Sequence, residues 1–171
     1  MIKAAIKLIR ALNGNVRKSQ IAAGFAWGLL LGLVPIGNFF WIVLLLVSFF
    51  FNHNHGSKLF SMALVKLFAP LIAPAVDILG WQVLHIEALQ PLFITMFNMP
   101  FVPFTKFNNT LVAGGLVAGA ALWLPVFFAF TALIPLYRNH LSPKIRELKL
   151  VKAIGKLPFL SIIDKSISPN G

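Results

Sequence analysis

Lys66, Asp77, His85 and Glu87 are the titratable side chains that punctuate the apolar middle of this 171-residue chain, with Lys58 and Lys106 at its polar connectors. His85 and Glu87 stand two apart and form the one plausible acid/base pair, since such catalysis needs two titratable groups within reach of one substrate. Lys66 and Asp77 are eleven apart and nearly in phase on an ideal helix, but Pro70 and Pro74 between them spoil that phase. No nucleophile with its base, zinc-protease motif or phosphate-cradling glycine loop accompanies these residues. His53 and His55, at i and i+2, lack a third ligand nearby, and the chain has no Cys, so no metal site is expected. The expectation is a protein that is not an enzyme and uses no cofactor. The four side chains are instead candidates for a polar path or a headgroup contact. A charge at the centre of a bilayer costs about 2.5 to 3.5 kcal/mol on insertion scales, so any at depth must pair or line a wet cavity. In the other reading Lys66 snorkels, and His85 and Glu87 sit at the interface beside Trp81.

A bilayer is the relevant solvent because 58% of the residues are hydrophobic, 11% are charged, and the mean hydropathy is +0.86. With 17 Phe the chain is also the reverse of a disordered composition. The net charge of +11 sits at the two ends. Lys3, Lys7, Arg10, Arg17 and Lys18 precede Ile21; Arg138, Lys144, Arg146, Lys149, Lys152, Lys156 and Lys165 follow Tyr137. A nucleic-acid protein would interleave its basic stripe with aromatics, whereas here the aromatics lie in the apolar segments, so no nucleic-acid partner is expected. The positive-inside rule puts both termini in the cytoplasm, where anionic headgroups would hold them. The apolar stretch after Ser19 runs too far for a signal peptide and no A-x-A-like site closes it.

Residues 1–171 read as a single membrane domain: a basic interfacial helix over 1–18, an embedded core over 19–137, and a basic cytoplasmic tail over 138–171. Lys149, Lys152 and Lys156 lie on one side of a second interfacial helix in that tail. As one helix, Ile21 to Phe51 would be about 46 Å long against a hydrocarbon core of about 30 Å, so it must break. The break falls at Pro35, Gly37 and Asn38, which makes a re-entrant or kinked hairpin. Asn52 to Lys58 reads as a polar surface connector, and Leu59 to Phe97 as an irregular stretch broken by Pro70 and Pro74. Phe107 to Tyr137 again exceeds one ordinary pass and is broken by Pro125 and Pro135. Gly24, Gly28 and Gly32, and Gly115 with Gly119, are spaced for close helix packing. The two long apolar segments repeat faintly at an offset of 90, Ala23, Gly24, Pro35 and Phe40 matching Ala113, Gly114, Pro125 and Phe130. The fold class is thus an all-α integral membrane protein: two Gly/Pro-broken hairpins around an irregular middle segment, with basic interfacial helices at both ends.

The run from Ile21 through Gly24, Gly28, Gly32 and Pro35 to Asn38 resembles the opening signature of a bacterial inner-membrane family known as domain of unknown function 2062. The likeness extends more loosely over about residues 17–137. Asn38 stands where that family has Gln, and Lys66 to Pro70 stands where it has a Trp-x-Ser-Asn-Pro-like stretch, so the family's polar serine and asparagine are missing. The resemblance implies a small multi-helix protein of the bacterial inner membrane and implies no activity. The function expected is assistance to the movement or accommodation of a lipid or small amphipathic solute. The alternative is a non-transporting scaffold or accessory subunit whose glycine faces dock on another membrane or envelope protein, or on a second copy of itself.

Overall fold

The computed structural model describes residues 16–141, and among them the chain is wholly helical. The expected interfacial helices, with Lys3, Lys7, Arg10, Lys149, Lys152 and Lys156, lie outside the described residues. Arg17 and Lys18, where the first helix begins, are exposed.

Helix α1 (Lys18–Leu33) carries only apolar side chains from Ile21 onward, and nearly all of them are buried, as in a helix at the core of a bundle. Its wall is formed by α3 (His55–Leu84) and α5 (Thr110–Leu136). The short α2 (Phe39–Phe49) lies between α1 and α3 in the chain, and α4 (Gln90–Phe97) with two 3-10 turns joins α3 to α5. Asparagines start three of these helices: Asn38, Asn54 and Asn109 each accept a hydrogen bond from the backbone N–H three residues on, at 2.7, 2.9 and 3.2 Å.

Helices α1 and α3 run parallel, since Gly24, Gly28 and Gly32 meet Ser57, Ser61 and Val65 in that order. Parallel pairing of neighbours requires a return segment, and α2 supplies it: the Asn54 N–H donates to the Gln20 carbonyl at 2.8 Å, beside the start of α1. Helix α5 runs antiparallel to both. Its Gly115 lies on Leu33, its Phe130 stacks on Phe25 at 3.8 Å between ring centroids, and Arg138 donates to the Val16 carbonyl at 2.8 Å.

Three expectations about helix breaks are corrected. Helix α3 runs unbroken through Pro70 and Pro74, and α5 through Pro125 and Pro135. The stretch from Leu59 to Leu84 is therefore a regular helix and not an irregular segment, and Pro125 does not end the helix it stands in. A proline removes one hydrogen bond, to the residue four before it, and apolar helices absorb that loss where the following residues keep helical geometry. Leu71-Ile72-Ala73 and Val126-Phe127-Phe128 do so. After Pro35 the chain instead meets Gly37, at φ +94°, and the N-cap Asn38, so the helix ends.

His55–Leu84 and Thr110–His140 are long and apolar enough to cross a membrane. In the most apolar stretch of each, 11% of the residues are buried in the protein, whereas the core helix of a soluble domain would be mostly buried. Helix α2 is as open, with Ile42, Val43, Leu46 and Phe49 all exposed.

Candidate functional site

The interlock of α1 with α3 is built from glycines on one helix and serines on the other. With no side chain at Gly24 and Gly28, α3 approaches closely enough for Ser57 Oγ to donate to the Ile21 carbonyl at 3.1 Å and Ser61 Oγ to the Phe25 carbonyl at 3.0 Å. Gly32 receives Val65, and Gly119 receives Leu30. These glycine faces are occupied within the chain, so they are not open to another protein. A further close pair has no sequence motif to announce it: Gly80 of α3 lies against the Thr110 carbonyl and Gly114 of α5.

Where α1 ends, three side chains answer its freed carbonyls. The Trp41 indole N–H donates to Leu31 at 3.0 Å, Lys66 Nζ to Val34 at 2.7 Å, and Asn38 Nδ2 to Pro35 at 2.7 Å. An ammonium at a helix C-terminus is favoured by the helix dipole as well as by the hydrogen bond. Beside it lies a cavity of about 150 Å³, lined by Gly32, Pro35, Val65, Ala69, Ala73 and Leu111, with Lys66 as its one charged wall.

The other three expected residues do not join Lys66. Asp77 accepts a hydrogen bond from Thr110 Oγ1 at the α3–α5 crossing, about 17 Å further along α3. His85, past the end of α3, is exposed, stacks on Trp81 at 4.2 Å between centroids, and bonds the Trp81 carbonyl through Nδ1 at 2.8 Å. Glu87 is exposed in the next 3-10 turn. His85 and Glu87 therefore share no enclosed site, although His85 lies on the rim of an open recess of about 350 Å³ with Gln90, Asn98 and Thr110.

A second polar cluster occupies the stretch expected to be a surface connector. Lys58 is 2% exposed; its Nζ donates to Ser48 Oγ at 3.0 Å and sits 4.2 Å above the Phe49 ring. His53 is 9% exposed, and Nδ1 bonds the Phe51 carbonyl at 2.8 Å. A carbonyl only accepts, so Nδ1 carries the proton and the Nε2 lone pair is left buried with no partner. The His53 and His55 rings are 4.7 Å apart. Burial, with smaller contributions from the Lys58 and His55 charges, holds the His53 imidazole below the ordinary histidine value of 6.5. Among the described residues there is no group of three His, Asp or Glu able to hold a metal ion.

The chain is 35% identical over 158 residues to an uncharacterized protein of Treponema pallidum (strain Nichols), covering 92% of this chain and 98% of that one. The two belong to one family. The match runs over nearly the full length of both members, so this treponemal relative is built on the same scale. No family model matches the chain, and no solved structure matches it.

Proposed function

We propose that the protein is an integral component of the bacterial inner membrane that accommodates, and helps to move, a lipid or small amphipathic solute. The observation that carries this reading is the cavity at the broken end of α1: apolar walls from three helices around a single ammonium suit an apolar chain with an anionic or dipolar head. The setting is supported by backbone satisfaction. A helix break inside hydrocarbon is tolerated only if its polar groups find partners, and the Leu31, Val34 and Pro35 carbonyls all have one. Helix α1, about 24 Å long, and α2, about 16 Å, are each short of the bilayer core, as a re-entrant hairpin would be. Val16 and Arg138, bonded at one end of the bundle, support a multi-pass arrangement with both termini on the cytoplasmic side. The likeness of residues 21–38 to the inner-membrane family of unknown function supports the same membrane.

Ala73 lines the cavity, and Ala73→Leu fills it. Native mass spectrometry of protein released from nanodiscs of bacterial lipids should find one retained lipid on the wild type and none on the variant, at equal thermal stability. Equal lipid retention by the two would refute the reading.

A further inference from the structure

We propose that the turn between α2 and α3 binds a phosphate-type oxyanion through Lys58 and His53. Among the described residues Lys58 is a buried cation without a counter-ion: the acids there are Asp77 and Glu87, and Asp77 stands about 28 Å along α3. Removing an ammonium from water costs several kcal/mol unless a partner replaces the lost hydration. The C-terminal turn of α2 and the Phe49 ring offset part of that cost. Of the three Nζ donors, however, one is used among the described residues, on Ser48.

His53 supplies the second observation, because its Nε2 has no hydrogen-bond partner although the side chain is nine-tenths buried. An oxyanion answers both gaps. Its oxygens accept from Lys58, and His53, taking a solvent proton on Nε2 as the anion enters, donates a second bond. The charged groups around this turn are His53 and His55, on the turn and first residue of α3, and Lys58 one turn on. Helix α2 faces it with uncharged Ser48 and Phe49, and α1 with Gln20. Arg17, Lys18 and Arg138 lie at the same end of the bundle, so the local field favours an anion. The oxyanion is either a lipid headgroup or free phosphate. Only the first source rests on the membrane reading, and Lys58 is about 12 Å along α3 from Lys66, so one site can fail without the other.

The test is the titration of ¹⁵N-labelled histidines by NMR in dodecyl maltoside micelles, which contain no phosphate. Three samples are compared: micelles alone, micelles with inorganic phosphate, and micelles with phosphatidylglycerol. Exposed His140, at the same end of the bundle, reports the change in surface potential alone. The His53 midpoint should rise by about one unit or more relative to His140. A rise with phosphatidylglycerol only identifies a headgroup; a rise with inorganic phosphate identifies a soluble anion. Lys58→Met should abolish the rise and Lys58→Arg should keep it. If neither additive moves His53 beyond His140 in the wild type, or if the rise survives Lys58→Met, the proposal is overturned.

Discussion

A methyl group added at Gly28 would run into the Lys58 carbonyl and would stand 2.6 Å from Ser61 Cβ, both on the facing helix. Restoring ordinary contact requires α1 and α3 to part by about 1 Å, and overpacking of that kind costs about 1 to 3 kcal/mol. The same displacement stretches the Ser57 and Ser61 bonds to α1, now 3.1 and 3.0 Å, past hydrogen-bonding distance. Two such bonds in an apolar setting are worth about 0.6 kcal/mol each. Alanine returns about 1 kcal/mol through its better helix propensity. Gly28→Ala should therefore destabilise the protein by roughly 1 to 3 kcal/mol, read from detergent-titrated unfolding in mixed micelles followed by tryptophan fluorescence. Gly37→Ala is the comparison: nothing lies within 4 Å, but φ is +94°, so its loss of about 1 kcal/mol is purely conformational. A Gly28→Ala protein as stable as wild type would refute the close parallel packing of α1 on α3.

Asn38→Ala removes the N-cap of α2 and the partner of the Pro35 carbonyl together, and should cost about 1 to 3 kcal/mol. Hydrogen exchange at the Trp41 amide, which would lose its acceptor, should accelerate while α3 stays protected; unchanged exchange would contradict the cap. Because the folded state holds His53 below 6.5, the stability gained by keeping it neutral is complete above about pH 6.5. It is lost as pH falls from there toward the lower folded-state value. In phosphate-free micelles the melting temperature should drop between pH 7.5 and pH 5.5, and less so in His53→Gln; an equal drop in both would assign the effect elsewhere.

Prolines are the least reliable guide in this sequence. Pro35 ends a helix and Pro125 does not, and the difference lies in the residues just downstream: a glycine at positive φ and a capping asparagine in one case, Val126 and Phe127 in the other. Local chemistry of that kind is legible, as are the glycine spacings and the basic ends. Lys66 is legible as the lone cation of its segment, but its contact with Val34, 32 residues away, depends on α1 stopping at that level. Lys58 escapes notice because Asn52 to Lys58 is polar enough to look like a solvated loop. Its burial comes from the return of α2, and the local signal is Asn54, whose capping bond to Ser57 puts Lys58 inside a helix. The meeting of Gly80 with Gly114 joins two different helices through tertiary geometry, which no spacing along one helix reveals.

The parallel arrangement of α1 and α3 sets an order of assembly during synthesis. Neither the serine bonds to α1 nor the lysine at its end can form until α3 has been made, and Phe130, which covers Phe25, emerges about 100 residues later than its partner. At a synthesis rate of about 5 to 20 residues per second, the innermost helix waits roughly 5 to 20 seconds for its last neighbour. During that interval its apolar surface lacks the cover that α5 gives it. Of the described helices, the first to be made is thus the last to be enclosed, and a pause in translation before α5 would prolong the exposure of α1.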